Sequence, residues 1–298
     1  MDTATPDAAK SWVDALPRAL RPYARLARFD RPIGTWLLLW PCGWGLTLAG
    51  GIASHWPLLL WFSLGAFAMR GAGCVYNDII DRDLDARVER TRNRPLAAGT
   101  VTLRAAWVWL VTLAFIGLVV LLQLPLRAQL VALASLLLVA AYPFMKRLTW
   151  WPQAWLGLTF NWGVLVGWLA VAPPHPAMAL LYAAGIFWTL GYDTIYALQD
   201  IEDDAFAGIK SSARALGPRA RAGVALFYAA AVGLAAAALW RVNPQWLALL
   251  ALLPAALHLA QQVVALRDHN PARALALFRS NRLTGALVFA ACAVVGWN

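Results

Sequence analysis

The sequence predicts an all-α fold, a polytopic membrane bundle of nine transmembrane helices in a single domain covering residues 1–298. Three observations carry this. Of 298 residues, 61% are hydrophobic and only 13% are charged, against about 25% charged in an ordinary soluble domain. A soluble core of this size cannot hide so much apolar surface. The apolar residues gather in long stretches free of Asp, Glu, Lys and Arg, each near the roughly 20 residues that one crossing needs. The basic residues fall between alternate stretches, the pattern of a chain passing back and forth through a bilayer. A cytosolic enzyme, a disulfide-built secreted module and a disordered chain are excluded.

Residues 1–32 are polar and basic, and are expected as a cytoplasmic N-terminal segment lying on the membrane surface. They are too long and polar for the front of a cleavable leader, so none is expected. The charge-free stretch 32–69 is long enough for two crossings, and the turn Gly51-Ile52-Ala53-Ser54-His55 divides it into spans near 33–50 and 56–76. Spans near 105–124 and 128–145 follow. The stretch 148–192 is again charge-free, and Pro173-Pro174-His175-Pro176 breaks it into 151–171 and 177–194. The last three spans fall near 222–240, 244–266 and 283–297.

With nine crossings, 22 of the 25 basic residues stand on the side of the N-terminus; Arg127 and Arg241 stand opposite, and Arg70 lies within the second span. Lys and Arg accumulate on the cytoplasmic side. A cell inner membrane is therefore expected, with the N-terminus and the basic loops cytoplasmic and the C-terminus outside. The same distribution accounts for the net charge of +10, so nucleic acid is not an expected partner. Cys42, Cys74 and Cys292 and the four scattered histidines have no metal-ligand spacing.

The acids carry more information. All 15 lie on the basic side, and ten form two clusters at the ends of the second and sixth spans. Insertion does not require this, because acidic residues contribute little to topology. In the first cluster Asn77, Asp81 and Asp85 recur every fourth residue and would share a helix face. In the second, Asp193, Asp200 and Asp204 again fall on one face. Like charges stacked this way repel, so a cation is needed to offset them. An all-oxygen set rich in carboxylates suits Mg²⁺, which keeps waters and is completed by substrate phosphates. Arginines 87, 90, 92 and 94 trail the first cluster; Lys210, Arg214, Arg219 and Arg221 trail the second. Metal-binding carboxylates beside bases for anionic oxygens point to a diphosphate site.

Asn77-Asp78-x-x-Asp81-x-x-x-Asp85 resembles the first signature motif of the UbiA family of membrane prenyltransferases. Tyr192-Asp193-x-x-Tyr196-Ala197-x-x-Asp200-x-x-Asp203-Asp204, followed by Gly208-x-Lys210-Ser211, resembles the second. Arg28 through Trp36 and Tyr142-Pro143-Phe144-Met145-Lys146-Arg147-Leu148-Thr149 are similar to segments of its 4-hydroxybenzoate polyprenyltransferase branch. The resemblance covers nearly the whole chain. It implies helices around a central cavity open sideways to lipid, and Mg²⁺-dependent transfer of a polyprenyl group from its diphosphate to carbon 3 of 4-hydroxybenzoate, a step of ubiquinone biosynthesis. It also implies metal-binding roles for Asn77, Asp81, Asp85, Asp200 and Asp204, and diphosphate contacts for Tyr142, Lys146 and Arg147. Asp193, Tyr196 and Lys210 are further candidates for substrate binding. The intramembrane Arg70 is the candidate for the acceptor carboxylate, the competing reading being an ion pair with an acid such as Asp78.

Two other functions compete. Acceptor choice rests on a few cavity residues, so another aromatic ring could be prenylated by the same mechanism. A cation-coupled secondary transporter would also carry acids, but near the bilayer midplane on broken helices, whereas these acids sit at span ends.

Overall fold

The computed structural model describes residues 11–87, 91–199, 201, 208–267 and 270–297, and every regular element among them is helical. After a short 3-10 turn at Trp12–Ala15 come α1 (Arg21–Leu26), α2 (Ile33–Leu48), α3 (Ile52–His55), α4 (Pro57–Asp85), α5 (Leu103–Leu121) and α6 (Leu126–Leu148). Then follow α7 (Pro152–Phe160), α8 (Gly163–Val171), α9 (Pro176–Ala197), α10 (Ser212–Leu216), α11 (Ala220–Val242), α12 (Trp246–Ala265) and α13 (Pro271–Val295).

Helices stand at each expected span. Six segments are long and apolar enough to cross a membrane, by length and composition, among the described residues: α4, α5, α6, Pro152–Val171, Ser212–Val242 and α12. The expected count of nine is met for those six. Of the other three, α2 has 16 residues, α9 carries Trp, Tyr, Gly and Asp, and α13 carries Arg273, Arg279 and Arg282. The span expected at 151–171 is interrupted between α7 and α8, where the buried Asn161 turns its Nδ2 onto the Gly157 carbonyl (2.9 Å) and Thr189 Oγ1 (2.7 Å).

The chain forms two compact units. The first comprises residues up to Thr35 together with Ser63–Gln123. Its core gathers Val13, Leu26, Phe29, Val75, Leu96, Val101 and Leu113. A capping box at Ser11 and Asp14 opens the N-terminal segment, and the Ser11 backbone N–H and then Arg25 hold the Asp14 carboxyl below its usual range. Trp12 donates to the Phe29 carbonyl (3.1 Å), Trp109 to that of Tyr23 (3.2 Å), and Phe29 stacks on Phe67. These contacts bolt the N-terminal segment to α4 and α5.

The second unit, Trp36–Phe62 with Leu124–Asn298, holds the remaining helices. Its fasteners are indole N–H groups. Trp44, Trp155, Trp162 and Trp168 donate to the carbonyls of Gly285, Leu138, Val131 and Pro173 at 2.8–2.9 Å. Hydrocarbon offers an indole no other acceptor, while a helix carbonyl retains a spare lone pair. Backbones also approach closely: a Cβ on Gly45 would run into the Val164 carbonyl, and one on Gly167 into that of Cys42. Small residues permit such contact where apolar packing rather than the hydrophobic effect drives association. Substituting Gly45 by Val should therefore force α2 and α8 apart and cost about 1–3 kcal/mol, the usual penalty for overpacking. Detergent-solubilised protein would show this as a lowered melting temperature.

Candidate active site

The first motif sits at the end of a 29-residue helix that continues without a break to Asp85. The continuity puts Asn77, Asp81 and Asp85 on one face, as their spacing requires. Asp78, Asp81 and Asp85 are buried, Asn77 is half-buried and Asp83 is exposed. Buried carboxylates so close together need positive charge. Two arginines supply it. Arg28 Nη2 lies 2.9 Å from both oxygens of Asp78, and Arg94 Nη1 lies 3.2 Å from Asp78 Oδ1 and 2.6 Å from Asp85 Oδ2. Asp78 is thus taken by Arg28 and Arg94 rather than by Arg70. The half-buried Arg70 lies about two turns back on the same helix, its guanidinium against Cys74 and over Gly34.

The second motif begins at the end of α9. Asp193 and Tyr196 are half-buried there, and the Tyr196 ring packs on Phe278 at 4.6 Å. Asp200 and Asp204, and with them Asp203, lie outside the described residues. The segment after them is fixed in place. Lys210 N–H donates to the Lys146 carbonyl at 3.0 Å, and Lys210 Nζ reaches the Leu148 carbonyl at 3.4 Å. Arg214 stacks on Trp150 at 5.3 Å and donates to the Ile209 carbonyl. Beneath them the fully buried Ser212 shares a 2.6 Å hydrogen bond with Thr194 Oγ1, and its N–H donates to Gln153 Oε1 at 2.9 Å. Lys210 and Arg214 are thus brought to the end of α6 that carries Lys146 and Arg147, with Tyr142 one turn before Lys146 on that helix. Behind this end of α9 runs a row of rings: Tyr196, Phe278, Tyr192, Trp188 and Trp44, with successive centroids 4.6–5.8 Å apart.

The donor set of the first motif fits a hard cation: it is all oxygen, and Arg94 engages Asp85 through Oδ2. The described residues gather no three His, Cys, Asp or Glu side chains around one point. Spacing had indicated neither the Arg28–Asp78–Arg94 linkage nor the Thr194–Ser212–Gln153 linkage. Their partners are far apart in the chain, 50 residues for Arg28 and Asp78, and no local pattern marks such a pair.

Residues 38–283 match the UbiA prenyltransferase family. The chain belongs to this family. It is 46% identical over 284 residues to the mitochondrial 4-hydroxybenzoate polyprenyltransferase of Rattus norvegicus, covering 93% of this chain and 75% of that one. Its identity to the Aedes aegypti protein of the same name is 46% over 273 residues, covering 90% of this chain and 62% of that one. Among solved structures, the apo form of a UbiA homolog from Aeropyrum pernix K1 superposes with a TM-score of 0.73 at 27% identity, covering 87% of this chain and 97% of that one. A UbiA homolog from Archaeoglobus fulgidus bound to GPP and Mg²⁺ shares the fold, with a TM-score of 0.69 at 20% identity, covering 92% and 99%.

Thr194→Val should leave the buried Ser212 hydroxyl without its partner. An unsatisfied buried group costs about 1–3 kcal/mol, which a thermal unfolding series would report, whereas Ser211→Ala removes only a longer cap to Arg214 N–H (3.4 Å) and should cost less.

Proposed function

We propose that this UbiA-family prenyltransferase moves a polyprenyl group from polyprenyl diphosphate to carbon 3 of 4-hydroxybenzoate, releasing diphosphate, as an early membrane step of ubiquinone biosynthesis. The relatives that carry this activity in their names are 43–46% identical over about nine-tenths of the chain. The supporting observation in the structure is the junction of α6 with the segment after the second motif. There Lys210 is joined to Lys146 of α6 and Ser212 to Thr194 of α9, the helix whose end carries Asp193 and Tyr196.

Lys146, Arg147 and Lys210, with the Tyr142 hydroxyl, hold the donor diphosphate, and the prenyl chain runs along apolar surface. Asn77, Asp81, Asp85, Asp200 and Asp204 would hold Mg²⁺, which would supply charge neutralisation for the leaving group. The allylic C–O bond breaks with its electron pair going to diphosphate. The rings behind Tyr196 exclude water and turn their faces to the positive allylic carbon. Ring carbon 3 of the acceptor, ortho to its activating hydroxyl, donates the electron pair that forms the new C–C bond, and loss of the proton at that carbon restores the aromatic ring. Arg70 pairs with the acceptor carboxylate. Basic loops on the cytoplasmic side of a cell inner membrane complete the proposal; the named relatives are mitochondrial.

Membranes containing the chain, 4-hydroxybenzoate and a polyprenyl diphosphate should yield 3-polyprenyl-4-hydroxybenzoate with Mg²⁺ and none with EDTA, and Asp81→Asn or Asp204→Asn should abolish the product. Product that survives both substitutions overturns the metal assignment. Its absence with several donors and folded protein redirects the search to other aromatic acceptors. A second measurement addresses Arg70: Arg70→Gln should raise the KM for 4-hydroxybenzoate about tenfold or more, the worth of one charge-assisted hydrogen bond, with the KM for the donor unchanged.

A further inference from the structure

Arg28 is the one non-glycine residue with positive φ among the described residues, at φ +58°. Its place explains the backbone. The N–H of Phe29 bonds to the Ala24 carbonyl (2.9 Å) and that of Arg28 to the Arg25 carbonyl (3.0 Å). This is the double closure that ends a helix through one left-handed residue, a position that glycine normally fills. Arginine there carries the backbone strain of a Cβ in the left-handed region, and strain of this kind persists where something else over-determines the conformation. What holds it is visible: Arg28 Nη2 meets both oxygens of Asp78 at 2.9 Å, and its Nη1 returns to the Arg25 carbonyl at 3.1 Å.

Asp78 is in turn the hub of the first motif. It is 2% exposed, and its Oδ1 is shared between Arg28 and Arg94. The same Arg94 nitrogen grips Asp85 Oδ2 at 2.6 Å. Asp78 thus anchors a guanidinium that holds the Asp85 carboxylate by its Oδ2.

We infer that Asp78 is a positioning residue and no metal ligand: fixed by a strained Arg28, it holds Arg94, and Arg94 presets Asp85 for a divalent cation. The inference rests on the reading of the first motif as a metal site. Groups that orient a ligand typically control metal affinity by about 10- to 100-fold without contributing a bond.

The test uses the full chain in detergent, Mn²⁺ with inorganic diphosphate as the probe, and electron paramagnetic resonance to count free Mn²⁺, at a temperature where every variant is folded. Asp81→Asn, a proposed ligand, should abolish binding; if it does not, the metal reading of the motif fails and the test of Asp78 is void with it. With that control met, Asp78→Asn and Arg28→Gly should each weaken Mn²⁺ binding about tenfold. The double variant should be no weaker than either single one, because both break the same linkage. Arg28→Gly is the sharper variant, since glycine relieves the backbone while removing the guanidinium. Loss of all binding in Asp78→Asn would make Asp78 a ligand. Parental affinity in Asp78→Asn and Arg28→Gly would make the linkage merely structural. Either result overturns the inference.

Discussion

Carboxylates aligned on one face at the end of a membrane helix repel one another, and where water is scarce that repulsion is poorly screened. The arrangement persists only because positive charge is brought to it, and much of this chain is organised around that supply. Within the first unit the supply comes from both directions along the chain: Arg28 from the N-terminal segment and Arg94 from the loop after the motif. Arg28 and Arg94 both converge on Asp78, and Arg94 also reaches Asp85. A buried ion pair contributes little net stability, because desolvation offsets most of its attraction. Its value here is geometric, since it fixes which carboxylate oxygens are taken.

The membrane sets the second constraint. Hydrocarbon cannot satisfy a polar group, so each one inside the bundle must find a partner in the chain. Trp44, Trp155 and Trp162 meet this by donating to helix carbonyls, and the Asn161 Nδ2 meets it by bonding to α9. A buried cluster does the same between α9, α11, α12 and α13. Trp188 donates to Asn281 Oδ1, Asn281 Nδ2 to Gln262 Oε1, and the Tyr228 hydroxyl to that same Gln262 oxygen. Such bonds each contribute modestly, yet they exclude alternative rotations of neighbouring helices because any slip strands a polar atom in lipid.

These constraints explain what could be read in advance. Charge-free stretches and the breaker at Pro173 marked the spans because exclusion of charge from hydrocarbon acts on composition, which sequence displays directly. The acidic motifs stood out for the converse reason: ten acids beside apolar spans have no structural purpose there. The count of crossings was less legible. α9 is buried against neighbouring helices along much of its length, so it carries Trp, Tyr and Gly for packing, and its composition understates its place in the membrane. The fixation of the site was not legible at all. Nothing local distinguishes Arg28 from Arg31 or Ser212 from Ser211; the difference is a contact with a residue many turns away.

The rings of α9 show how one helix joins the charged end to the apolar interior. Trp188, Tyr192 and Tyr196 recur every fourth residue, so they share a face and cover about 12 Å of helix. Their orientations are not left to packing alone. Asn281 fixes the Trp188 indole, and a relay from Asn161 through Thr189 reaches the Tyr192 hydroxyl. A ring held at its polar edge presents its face without reorganising when a charge develops beside it, the condition under which a fixed environment stabilises a cation best. The turn that interrupts the span between α7 and α8 places the amide that sets the first member of that relay, so the break at Asn161 helps to fix the hydroxyl edge of the Tyr192 ring that Trp188 and Phe278 already pack.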